Sequence, residues 1–228
     1  STPIKSSAAS DVYKRQLCGA ALWLWAVLAQ ATGMSGVLFA AIAACLPILV
    51  TGGIHMDGYL DTVDALSSHQ TCEKKLAIMK DANCGAFAVI YGGVYLLAYA
   101  GFAYEVFAAG HILLICPLFV LSRALSGLCA VNLPSARKSG LLCAVTSGVQ
   151  RRTATVALTL VGLAAAAGMV WMSPTAGGMA AAFVVVSALK YRRFALAQFG
   201  GVTGDTSGFF LQLCELCGLI GVWIGGLL

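Results

Sequence analysis

Residues 16–54 read QLCGAALWLWAVLAQATGMSGVLFAAIAACLPILVTGGI, without one Asp, Glu, Lys or Arg. A second run, residues 153–189, is equally free of charge. A helix needs about 20 apolar residues to cross a bilayer, so each run is long enough for two crossings joined by a short turn. TGMS (32–35) and SPTAGG (173–178) supply the turns. Outward from these runs, spans are expected at 17–32, 36–54, 83–104, 107–131, 154–172, 175–190 and 208–228, with Pro47 kinking the second. The whole chain agrees. Of 228 residues, 60% are hydrophobic and 10% charged, against about 25% charged in a soluble domain. The expected fold is all-α: a polytopic transmembrane helical bundle of about seven spans, forming a single domain over 17–228. Residues 1–16, STPIKSSAASDVYKRQ, hold neither a signal-peptide core nor an apolar stripe, and are expected to be a truncated or foreign, disordered leader.

The net charge is +5, which in a soluble protein would point to nucleic acid. Here the cations sit at span ends, and no nucleic-acid partner is expected. Lys14, Arg15, Lys74, Lys75, Lys80, Arg137, Lys138, Arg151, Arg152, Lys190, Arg192 and Arg193 all fall on the side of the amino terminus. The opposite turns contain no Lys or Arg. The positive-inside rule makes the basic side cytoplasmic. Nine cysteines are scattered through the chain. The single Cys-x-x-Cys, Cys214 and Cys217, lies inside an expected span without His or Cys partners, so small packing residues are the better reading than a metal or redox site.

Directly after the first run comes TGGIHMDGYLDTVD, residues 51–64. On a helix, Asp57, Asp61 and Asp64 stand at i, i+4 and i+7, within about 60° of arc. Like charges so placed repel by ~0.2–0.5 kcal/mol each even when exposed, and beside lipid their pKa values rise unless a cation intervenes. Oxygen donors favour a hard divalent ion, Mg²⁺, which keeps positions open for phosphate oxygens. The plain alternative is a solvated face or a helix start. His55 is open to three roles: a base, a ligand, or a polar residue at the interface. If the helix already includes residue 55, its offset of about 600° from Asp61 turns it away from the acidic face.

Two further polar centres follow. EKKLAIMKDANCGAF, 73–87, offers Lys74, Lys75 and Lys80, read equally as membrane-surface anchors or phosphate ligands, with Asp81 placed to cap the third span. FGGVTGDTSG, 199–208, places Thr203, Gly204, Asp205 and Thr206 between two apolar segments, and its glycines allow backbone to approach phosphate. Arg123 lies within a span, where it is either functional or snorkels to the surface. Arg137 belongs to the loop PSARKSG, 134–140. Carboxylates, cations and Gly-rich loops on one membrane face are equipment for phosphoryl or diphosphate chemistry.

These blocks resemble the cobalamin synthase family, the adenosylcobinamide-GDP ribazoletransferases. T51-G-G-I-H55-M-D57-G-Y-L-D61-T-V-D64 is similar to its first hallmark and I78-M-K80-D81-A-N-C-G85 to its second. Ser122-Arg123, the P-x-A-R loop at 134–137 and G200-G-V-T-G-D205-T-S-G follow in the family's order. Ala65 stands where the family usually has Gly, SSHQTCEKK (67–75) lacks its Gly-rich run, and the stretch ahead of the first span differs. The resemblance implies transfer of the adenosylcobinamide phosphate moiety from adenosylcobinamide-GDP to α-ribazole or its 5′-phosphate, with release of GMP. It further implies Mg²⁺ on Asp57, Asp61 and Asp64, and phosphate contacts from Lys80, Asp81, Arg123, Arg137, Thr203, Gly204 and Thr206. His55, one of the metal-site aspartates such as Asp61, or Asp205 would take the hydroxyl proton. The bilayer is the remaining partner, and association of copies is compatible with the pattern. A CDP-alcohol phosphotransferase would need Ala-Arg where Leu60-Asp61 stand, and a UbiA-like prenyltransferase a second Asp-rich motif. A transporter would place its carboxylates at mid-membrane.

Overall fold

The computed structural model describes residues 3–81, 83–137 and 150–228. Lys138 and Cys143 lie outside the described residues. The elements are α1 (Pro3–Thr32), α2 (Gly36–Thr51), α3 (Ile54–Ser67), α4 (Cys72–Ile78), α5 (Ala86–Ala108), α6 (Ile115–Asn132, entered through a 3-10 turn at Ile112–Leu114), α7 (Arg151–Met172), α8 (Pro174–Phe199) and α9 (Gly204–Gly226). Among the described residues no strand forms; one isolated bridge joins Ser135 to Val202.

Each expected span coincides with a helix, yet the count of seven is higher than the helices support. Four segments are long and apolar enough to cross a membrane alone: α5, Ile112–Asn132, α7 and α9. α2 and α3 qualify only as a pair, and they are bent by 98°, so the count among the described residues is four or five. The shortfall has plain causes. The apolar part of α1 is the short stretch Leu17–Thr32, and α8 carries Lys190, Arg192 and Arg193 in its last third. α1 also continues as helix back to Pro3. The expected kink at Pro47 gives way to a sharper break a turn later. α2 runs through Pro47 as one helix, and the bend falls at Gly52 and Gly53, whose φ values of +66° and +79° suit glycine.

α9 is the central post, packing on α8, α3, α5 and α6. Its seam with α8 is built from small residues, with Gly221 and Gly225 of α9 against the backbone of Ala180 and Ala176, the close approach that holds helices together in lipid. Phe39 stacks on Phe107 at 4.0 Å and Tyr191 on Phe210 at 4.6 Å. α7 turns Val156, Leu160, Leu163 and Trp171 outward, as a lipid-facing helix should. Inside the bundle, the Tyr95 hydroxyl donates to Gln212 Oε1 at 2.6 Å and Ser122 Oγ to Glu215 Oε1 at 3.3 Å, tying α5 and α6 to α9.

Candidate active site at the polar end of the bundle

The site begins with the glycine break. α3 turns by 98° from α2 and packs against α9 and α5. α3 spans Ile54–Ser67 without interruption, so Asp57, Asp61 and Asp64 do share one face. Asp57 is exposed, and Asp61 and Asp64 are half-buried. His55 is inside the helix and buried, away from that face, as the 600° offset requires.

Glycine brings α9 onto α3. A Cβ on Gly58 would stand 2.8 Å from the Asp205 Cα, and one on Gly208 would stand 2.9 Å from the His55 carbonyl oxygen. The bare backbones touch, and the start of α9 delivers Asp205 to the acidic face. Arg137 arrives from the other loop by backbone pairing. Val202 N–H donates to the Pro134 carbonyl at 2.9 Å and Ala136 N–H to the Val202 carbonyl at 3.0 Å, beside Gly201, whose missing Cβ leaves room for Pro134. Arg137 Nη1 then donates to Asp205 Oδ2 at 2.9 Å, and its Nη2 to the Leu76 carbonyl of α4 at 3.3 Å. Two motifs far apart in the chain become one surface.

Charge on this surface is unbalanced. Burial first, and then the charges of Asp57, Asp205 and Asp64, together push the Asp61 carboxyl up to about 6, with Arg137 only partly opposing them. Repulsion among carboxylates and poor solvation both favour the protonated form.

Other predicted residues have local tasks. Asp64 Oδ2 accepts from Gly85 N–H at 2.5 Å and Oδ1 from Ala88 N–H at 2.8 Å, so Asp64 caps α5 from a distance. That is the position expected for Asp81, which instead closes an Asx turn on Asn83, accepting from its N–H at 3.0 Å and Nδ2 at 2.8 Å. Sequence distance hides this, because the capping side chain lies on another helix. Thr203 and Thr206 are buried and form a reciprocal capping box at the start of α9, with Thr206 Oγ1 also accepting from the Tyr191 hydroxyl at 3.1 Å. Gly204 is exposed beside them, and Lys80 is exposed on the loop before α5. Arg123 is half-buried in α6, next to Ser122. Glu215, buried in α9, lies outside every motif named from the sequence; its signal is a lone acid in an apolar span, where ionisable groups are functional suspects by default.

Among the described residues no three of His, Cys, Asp and Glu form a group able to hold one metal ion. Mg²⁺ does not need three; one or two carboxylates plus substrate phosphates suffice. Asp57 and Asp61, on successive turns of α3 and in surplus negative charge, are the pair whose donors fit it.

The fold and site together define a polytopic helical membrane protein with an oxygen-donor, acid-rich site at its basic end. The chain belongs to the CobS, cobalamin-5-phosphate synthase, family, whose model matches residues 16–223. It is similar to an adenosylcobinamide-GDP ribazoletransferase of Lachnoclostridium phytofermentans, at 41% identity over 185 residues, which are 80% of this chain and 70% of that protein. A protein of the same name from Stutzerimonas stutzeri is 34% identical over 207 residues, covering 90% of this chain and 81% of its own length. No solved structure matches the chain.

Proposed function

We propose that the protein transfers the adenosylcobinamide phosphate moiety from adenosylcobinamide-GDP to α-ribazole or its 5′-phosphate and releases GMP. Family membership supports the reaction, and one observation carries its location: Asp57 and Asp61 of α3 share a surface with the Asp205–Arg137 pair of the two distant loops. A ribose hydroxyl attacks the phosphorus nearest the cobinamide arm, and the diphosphate bond to GMP breaks.

Asp57 and Asp61 would hold Mg²⁺. Bound there, the ion would neutralise the diphosphate and the leaving GMP, a contribution of several kcal/mol at the transition state. Arg137 grips Asp205 through one nitrogen, Nη1, and it turns that fork to a phosphate oxygen as substrate enters. Asp205, so released, takes the proton of the attacking hydroxyl. The basic end of the bundle faces the cytoplasm, where both substrates are soluble, in a bacterial inner membrane.

The test is GMP release from adenosylcobinamide-GDP by purified protein, with α-ribazole present. Turnover is expected with Mg²⁺ and not with chelator, and Asp57→Asn is expected to cut it by about 10²-fold. Absence of any GMP from the intact protein overturns the reaction; Mg²⁺-independent turnover overturns the metal.

A further inference from the structure

Lys75 is a cation that the site as described leaves unused. It lies on α4 and is only 8% exposed, unlike Lys74 and Lys80 on either side of it, which are exposed. Its ammonium donates to Gln198 Oε1 at 2.5 Å, and among the described residues that neutral amide is its one partner. An ammonium has three donors, and burying it without a counter-charge is costly.

Its position is informative. The next residue, Leu76, offers the carbonyl that holds Arg137 Nη2. Gln198 stands just ahead of Gly200 and the loop that leads to Asp205. Arg137 and Lys75 therefore flank one short stretch of α4, but Arg137 is neutralised by Asp205 and Lys75 is not. Attraction to the carbonyl end of α8 favours a cation here. It does not account for a lysine only 8% exposed on a short helix, where an apolar side chain would pack at no electrostatic cost.

We propose that Lys75 binds a phosphate oxygen of the substrates, with Gln198 holding its ammonium in place. This rests on the reaction proposed above. The phosphate has two possible sources, the diphosphate of the donor or the 5′-phosphate of the acceptor, and the chemistry at Lys75 is the same for both.

Three variants of the full chain test this: Lys75→Gln, Lys75→Arg and Gln198→Glu. Lys75→Gln is expected to raise one KM by about 10- to 100-fold, the loss of a charge-assisted hydrogen bond, and Lys75→Arg to restore most of it. A rise for adenosylcobinamide-GDP with either acceptor identifies the diphosphate. A rise for α-ribazole 5′-phosphate, with α-ribazole unchanged, identifies the acceptor. Gln198→Glu keeps Lys75 buried but supplies the missing counter-charge. It should raise the thermal midpoint and still weaken the same substrate, whereas a purely structural lysine predicts a raised midpoint with every KM unchanged. That unchanged pattern overturns the proposal, and Gln198→Glu decides the matter if Lys75→Gln fails to accumulate. If the intact protein shows no turnover at all, the reaction has failed, and Lys75 is read separately. Pyrophosphate should then raise the midpoint of the intact protein and not of Gln198→Glu; equal shifts overturn it.

Discussion

At the polar end of the bundle, Asp57, Asp61 and Asp205 crowd together with Arg137 as their nearby cation, and Asp61 is pushed up to about 6. In the interior, Tyr95 is matched to Gln212 and Ser122 to Glu215, at 2.6 and 3.3 Å, among residues almost wholly buried. Both are polar groups in an apolar protein. The interior pairs are made within the folded chain, and they tie α5 and α6 to α9. The surface acids are incomplete until something positive arrives. Matched polar groups hold a fold together; mismatched ones await a ligand.

The sharpest way to break this comparison is a pair of near-isosteric changes. Asp61→Asn removes one charge from the mismatched group. It should lower GMP release by about 10²-fold or more while leaving thermal stability unchanged or slightly raised, since a repulsion is relieved. Tyr95→Phe removes one hydroxyl from the matched group. It should cost about 1 kcal/mol of stability and leave turnover close to that of the intact protein. Activity and thermal midpoints measured on both variants must diverge in opposite directions. If Tyr95→Phe proves the more damaging to catalysis, the division of labour is wrong.

A smaller loss should follow from Gly58→Val. The new Cβ would meet Asp205 backbone at 2.8 Å, so α3 and α9 must part. Overpacking costs ~1–3 kcal/mol, and the displaced Asp205 should reduce turnover about tenfold, as small misplacements at a reacting centre do. Unchanged kinetics would show that Asp205 need not sit against α3. Asp64 tests the boundary between the two regions. It shares a face with the metal-site acids, yet both its oxygens hold backbone N–H groups of α5. Asp64→Ala should cost about 1 kcal/mol, the worth of a cap, and leave the Mg²⁺ concentration for half-maximal activity little changed. A large rise in that concentration would return Asp64 to the metal.

The sequence carried some of this and concealed the rest. The uncharged runs and the acidic face of residues 57–64 were legible because each is a local pattern along the chain. Helix count was not, because α8 stays helical through Lys190, Arg192 and Arg193 while ceasing to be apolar. The Arg137–Asp205 pair depends on loops that meet only through the Ser135–Val202 bridge, and no spacing rule reaches across that gap. Asp64 holds the cap expected of Asp81 for the same reason, since a cap supplied by another helix leaves no mark beside the helix it serves. Glu215 is different. Its signal is local and plain, an acid amid the largely apolar residues 209–224, but it belongs to no spaced group like that of the three aspartates upstream.

The smallest effect expected is on pH dependence, and its sign follows from the raised Asp61 carboxyl. Asp61 has an ordinary value of 3.8 and stands at about 6 in the folded chain, so between these values the folded protein binds more protons than the unfolded one. Stability without metal should therefore fall as pH rises through that window. Asp61 is half-buried, and solvent screening reduces the effect, to a change in thermal midpoint of about a few degrees at most. Mg²⁺ on Asp57 and Asp61 needs the ionised carboxylates, so its addition should raise the midpoint more at pH 7.5 than at pH 5. Midpoints measured in chelator and in Mg²⁺ at both values give the answer. If the Mg²⁺-induced rise is the same at both, the ion is not held by the acids whose repulsion it was expected to relieve. If the chelator curve alone is flat, the neighbouring charges are already balanced, and the surface acids belong with the matched pairs of the interior.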